Sequence, residues 1–141
     1  MSVQVISRKP GEERVNALIS IKACYIERIL NGSKKYELRK SKPGKQVKKF
    51  FVYVPAPVQK ILYTFVPGRI IEDTPQNLWK RIGHLSGLTE EEFLKYFNGA
   101  KKGVAIEILN FRKLPEPLCI EDILPGKKPP QGFLYMSFFQ T

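Results

Sequence analysis

The hydrophobic positions change their period along the chain, and each change marks an element. "ALISI" (17–21) is a continuous apolar run of strand length. "ACYIERILNG" follows, with Ile26, Ile29 and Leu30 on one helical face and Gly32 as a left-handed stop. Period two returns in "KKYELR", which puts Tyr36 and Leu38 on one side and Lys35, Glu37 and Arg39 on the other. "FFVYV" (50–54) and "VQKILYTFV" (58–66) are rich in β-branched and aromatic residues and read as strands, separated by Pro55 and Pro57.

The middle turns helical. Thr74 is placed to cap a helix that opens on Pro75 and turns Leu78, Trp79 and Ile82 inward. Thr89 followed by Glu90, Glu91 and Glu92 is a capping box for a helix through Phe93, Leu94 and Phe97, ended by Asn98-Gly99. "GVAIEILNFRKL" (103–114) alternates again, "IEDIL" makes one helical turn, and "GFLYMSFF" (132–139) reads as a closing strand. Several strands arrive without intervening helices, which argues against a doubly wound parallel sheet. The fold expected is α+β: a small mixed, mainly antiparallel β-barrel with peripheral helices. Its inner faces should hold Leu18, Val52, Val54, Leu62, Ile106 and Ile108 in large part. Residues 1–16 are polar around Pro10-Gly11 and read as a flexible arm with one short strand at 3–6; residues 17–141 form one domain.

Charge changes this picture. The 141 residues carry a net charge of +11. Residues 1–60 hold fourteen Lys/Arg against four Asp/Glu, whereas residues 61–141 hold ten against nine. So one-sided an excess points to a polyanion, most often nucleic acid. Other chemistries find little support. His84 is the single histidine, which leaves no second one for a histidine-paired metal site, and it lies between two helices, where a surface or half-buried loop role fits better than catalysis. The glycines match no phosphate-binding loop, so neither a metal nor a cofactor is expected. No apolar run reaches membrane-spanning length and residues 1–16 lack a signal-peptide centre, so the expected location is cytoplasmic, with no membrane partner. Cys24 and Cys119 are then expected as reduced, buried side chains.

The densest signal lies in "GSKKYELRKSKPGK" (32–45), where six lysines and arginines surround one acid, Glu37. Glu37 and Arg39 stand two apart on one strand face, so Arg39 can orient the carboxylate by a charge-assisted hydrogen bond, with Lys34 at the strand's start. Lys22, Lys34, Arg39, Lys40, Lys42, Lys45 and Lys48, together with Glu37, form the candidate nucleic-acid site, with Lys60 nearby. Tyr25, Tyr36, Phe50, Phe51 and Tyr53 flank it as stacking candidates, although half or more must fill the core. Trp79, at helical spacing with Leu78 and Ile82, reads as core. A solvated strand-face salt bridge is the plain alternative, and an acidic protein partner is another use for a basic surface.

Gly32, Lys34, Glu37 and Arg39 read G-x-K-x-x-E-x-R, which resembles the signature of the ASCH domain family, a branch of the PUA-like superfamily. "ALISIK" with the helix ending "ILNG", then "VYVPAPVQKILYTFV", "TPQNLWKRIG", "TEEEFLKYFNGAKKGVAIEI" and "PPQGFLYM" are similar to the family's successive elements in its archaeal-type members, over residues 17–136. The resemblance implies a PUA-like barrel and RNA binding in a cleft, in RNA metabolism or transcription regulation. It also implies a rival: some members are enzymes, a ribonuclease and small amidohydrolases acting on acetylated cytidine. In the latter the motif lysine, here Lys34, is catalytic, and a threonine stands where this chain has Glu37. Were the chain an enzyme, Lys34 and Glu37 would be its working pair, with Glu107 as the one further carboxylate to name.

Overall fold

The structure, a computed structural model, describes residues 4–5 and 13–136. Its strands are β1 (Gln4–Val5), β2 (Val15–Ser20), β3 (Tyr36–Arg39), β4 (Val47–Val54), β5 (Lys60–Asp73), β6 (Gly103–Leu118) and β7 (Phe133–Met136). The helices are α1 (Ala23–Leu30), α2 (Pro75–Ile82), α3 (Glu90–Tyr96) and α4 (Ile120–Ile123). The capping signals act as the sequence suggests. Thr74 Oγ1 accepts the Asn77 N–H, with Pro75 opening α2, and Thr89 and Glu92 cap α3 reciprocally.

Lengths differ where pairing overrides local pattern. β2 takes in Val15 and Asn16, two residues before the expected start, because they pair with the opening of β4. β5 continues through Pro67 and Gly68 to Asp73, and β6 to Leu118, because the two strands pair along most of their length. Their register shifts at 61–63, 64–66 and 67–70, and the last bulge accommodates a proline that a regular ladder would exclude. Leu30, expected on the buried face of α1, is instead 61% exposed; of the three expected residues Ile26 and Ile29 are buried, before the Gly32 turn (φ +89°) ends the helix. The expected strand at 132–139 is seen as β7, with residues beyond Met136 outside those described, as are most of residues 1–12.

The strands follow the order β3-β6-β5-β4-β2-β7, with β1 alongside β5. The pairings are antiparallel except β2 with β4, which run parallel because α1 and β3 carry the chain back between them. This is a mixed, mainly antiparallel α+β fold, but the ladder does not close into the expected barrel. Among the described residues β3 and β7 stand at the two ends of the path. Between those ends the contacts come from the Arg39 side chain rather than from backbone pairing.

Alternate residues of the curled sheet feed separate cores. Ala17, Ile19, Phe50, Val52, Val54, Phe65, Val104 and Ile106 pack inside with Ile26 and Ile29 of α1. Leu62 and Ile108 join this cluster half-buried. Leu18, expected among them, faces the other way and packs with Phe51, Ile61 and α4. A third cluster seats α2 and α3 on the outer face of β3, β5 and β6 through Leu78, Ile82, Phe93 and Phe97 against Tyr36, Leu38, Ile71 and Ala105. The expected burial of both cysteines does not hold: Cys24 lies on the solvent side of α1, and Cys119, half-buried at the start of α4, accepts from Lys60 Nζ at 2.9 Å.

Candidate functional site

The turn after α1 places Lys34. The Lys34 N–H returns to Arg28 O at 2.9 Å and the Lys35 N–H reaches Leu85 O at 2.7 Å, so the segment after α1 is pinned to the α2–α3 connection. Gly87, at φ +74°, presses on Lys34 closely enough that an added Cβ would come 2.7 Å from Lys34 Cβ. The lysine side chain, 3% exposed, then turns inward and donates from Nζ to Tyr36 O at 2.9 Å and Ser86 O at 3.2 Å.

Glu37 lies beside it on the inner face of β3. Its Oε1 is 3.5 Å from Lys34 Nζ, and its Oε2 accepts from Arg39 Nε at 3.1 Å and Nη2 at 2.8 Å. Arg39 also donates Nη2 to Ser20 O at 2.6 Å and Nη1 to Gln131 O at 3.2 Å. One guanidinium therefore ties β3 to the end of β2 and to the segment before β7, across the open side of the sheet. The three charges are net positive and enclosed, so each depends on the others and on these carbonyls for the solvation it has lost.

These groups open on a cleft of about 250 Å³ lined by Ser20, Lys22, Tyr25, Leu88, Tyr96 and Gln131 beside the charged cluster. Of the residues the sequence singled out, Lys22, Lys34, Glu37 and Arg39 converge here. Lys40 reaches the rim, 5.4 Å above the Tyr96 ring, and Lys45 lies 5.4 Å from the Tyr135 ring. Lys42 is exposed on the loop after β3. Lys48 stands apart: Ser20 pairs beside Tyr53, so Lys48 is five residues back along β4, about 16 Å at strand rise. Lys60 lies outside the lining, engaged with Cys119. Glu107 pairs opposite Tyr36 and so faces away from Glu37, where it accepts the Arg69 N–H at 2.9 Å.

Of the flanking aromatics, Tyr25 lines the cleft, with Lys34 Nζ 5.4 Å and Arg28 Cζ 5.5 Å from its ring. Tyr36, Phe50, Phe51 and Tyr53 are buried in the cores. Tyr96, Leu88 and Gln131 carry no sequence signal that would have placed them here; they arrive from distant segments. Among the described residues no three His, Cys, Asp or Glu side chains converge as metal ligands. Among the described residues no helix is long and apolar enough to cross a membrane.

Burial lowers the Lys34 pKa from the ordinary 10.5, against the opposing pull of Glu37. In the neutral form both N–H donors stay on the Tyr36 and Ser86 carbonyls and the lone pair can take a proton. The folded chain then binds fewer protons than the unfolded chain between the lowered value and 10.5, so stability rises with pH across that window. Melting curves should therefore show wild type gaining on Lys34→Met as pH is raised toward 10; a constant gap would contradict the shift.

No family model matches the chain. Its fold is shared with ASCH from Zymomonas mobilis, whose crystal structure superposes with a TM-score of 0.79 at 23% identity, over 89% of this chain and 90% of that one. A mutant form of the same protein gives a TM-score of 0.80 over 90% and 92%. This is an ASCH-domain fold. In sequence, the ASCH domain-containing ribonuclease of Z. mobilis is 23% identical over 133 residues, 92% of this chain and 89% of that one. The chain is also 29% identical over 129 residues to ATP synthase subunit alpha of Ureaplasma parvum, of whose length it spans 16%. The superposition and the motif resemblance agree on this fold, and Lys34, Glu37 and Arg39 of the G-x-K-x-x-E-x-R run line its cleft.

Proposed function

We propose that this protein binds RNA, taking one nucleotide into the cleft at Lys34, Glu37 and Arg39 while the outer lysines hold the backbone, in RNA metabolism or transcription regulation. The observation that carries this reading is the buried, oriented Lys34–Glu37–Arg39 cluster opening on a small cleft with a basic rim. The volume lies just below the usual range for drug-sized ligands and suits one base rather than a strand. Tyr25 and Tyr96 offer ring surface for a base. Glu37 Oε1, less fully engaged than Oε2, is an acceptor for an amino or hydroxyl donor. The curled sheet would serve here as a PUA-like barrel does, with the Arg39 bridge in place of the missing strand pairing.

A second reading is enzymatic: cleavage of RNA, or hydrolysis of a modified nucleoside such as acetylated cytidine. The lowered Lys34 pKa beside a carboxylate favours it, since a buried amine able to shed its proton is suited to general base work. The similarity to a protein named a ribonuclease supports it as well. The charged carboxylate of Glu37, in place of the threonine of amidohydrolase-type relatives, favours RNA over acetylated cytidine as the substrate.

Purified protein incubated with single-stranded RNA, and separately with acetylated cytidine, should give no product by mass spectrometry if the cleft only binds. Lys34→Ala should then weaken RNA binding alone. Product formed by wild type and lost in Lys34→Ala would establish the enzymatic reading. Absence of binding to single-stranded or duplex RNA at low salt would defeat the RNA assignment.

A further inference from the structure

A second concavity, about 570 Å³ and more open, lies on the other side of the wall formed by Gly87 and Leu88. Leu88 lines both spaces. Arg28 lines this groove, and its guanidinium sits 5.5 Å from the ring of Tyr25, a wall of the cleft. The groove further presents Trp79, His84, Ser33 and Glu92.

Trp79 is the single tryptophan of the chain; it packs against the third core cluster, as its spacing suggests, but remains half-buried and also lines the groove. The ring is held rather than loose. It meets Phe93 edge-on at 5.3 Å, and Gly83 approaches so closely that a Cβ there would come 2.2 Å from the indole. His84, next in sequence, is exposed. Arg28 donates to Gly87 O at 2.8 Å and lies 3.6 Å from Glu92, a pair with both partners substantially exposed. A fixed aromatic ring beside an arginine and an exposed imidazole matches what grips single-stranded nucleic acid: stacking for the base, a cation and an N–H donor for the phosphate. Glu92 opposes a phosphate, and its exposed pairing with Arg28 is weak enough for one to displace.

We infer that this groove is a second nucleotide subsite, in which the neighbour of the nucleotide held in the cleft stacks on Trp79 while the phosphate between them passes Arg28. The inference rests on the RNA reading of the cleft. It gives a role to an arginine that lines the groove and also rests against Tyr25, a wall of the cleft.

Wild-type protein reports on the groove directly, because tryptophan emission comes from Trp79 alone. A random single-stranded RNA decamer should quench that emission, with a midpoint matching the anisotropy of the same RNA labelled with fluorescein. Trp79→Leu keeps apolar bulk against Phe93 but removes the stacking face, and should weaken binding about tenfold, within the range of one base stacked on an aromatic ring. Glu92→Gln keeps the capping box and should tighten binding by freeing Arg28. A rise in anisotropy with unchanged emission, or unchanged affinity in both variants, would overturn the subsite and leave the RNA reading standing. No rise in anisotropy at low salt would end both.

Discussion

Replacing Glu37 by alanine should destabilise the protein by about 3–5 kcal/mol, a large fraction of a typical domain's stability. The carboxylate, 6% exposed, is the shared counter-charge of Lys34 and Arg39, which are themselves enclosed. Its removal leaves Lys34 and Arg39 enclosed without a counter-charge, with carbonyls and ring faces as their remaining partners, and it loosens the Arg39 bridge between β3 and the Ser20 and Gln131 carbonyls. Thermal melting should fall by on the order of 10 °C. Glu37→Gln keeps the shape and one acceptor and should lose roughly 1–3 kcal/mol, while blunting ligand discrimination more than affinity. A loss below ~1 kcal/mol for the alanine variant would mean that water replaces the carboxylate freely, as at an exposed pair.

RNA affinity should fall about fiftyfold between 50 and 200 mM salt if four cations neutralise phosphates on a single strand. The ion pairs among the described residues draw on Arg28, Lys34 and Arg39 as their cations. Lys22 in the cleft wall, Lys40 over Tyr96, and the nearby Lys42 and Lys45 enter none of these ion pairs. Replacing any one of them by alanine should lower the slope of log affinity against log salt by about 0.7. Lys48, set back along β4, should change it least. Anisotropy titrations at four salt concentrations measure both, and a slope near zero would exclude backbone neutralisation as the source of binding.

Because the Lys34 cluster is built almost entirely from one short segment, its core was legible in the chain. Lys34, Glu37 and Arg39 lie within six positions, and strand alternation alone puts Glu37 and Arg39 side by side. The helix caps were equally readable, since Thr74–Asn77 and Thr89–Glu92 are contacts within one turn. The alternation of "KKYELR" also separated the buried Tyr36 and Leu38 from the site face. What the pattern could not show was how the strands end. Barrel closure depends on whether β3 meets β7, a choice made by bulges in β5 and β6 and by an arginine reaching carbonyls 19 and 92 residues away. Nor could it show which aromatics face the cleft: Tyr25 and Tyr96 do, whereas Phe50, Phe51 and Tyr53 fill cores, because only the curl of the sheet decides which ring meets solvent. The sequence by itself determined the elements and the charged motif, through interactions of residues a few positions apart. The tertiary structure alone decided burial, which made an ordinary lysine–glutamate–arginine run into an enclosed, mutually dependent cluster and placed Trp79 in the neighbouring groove.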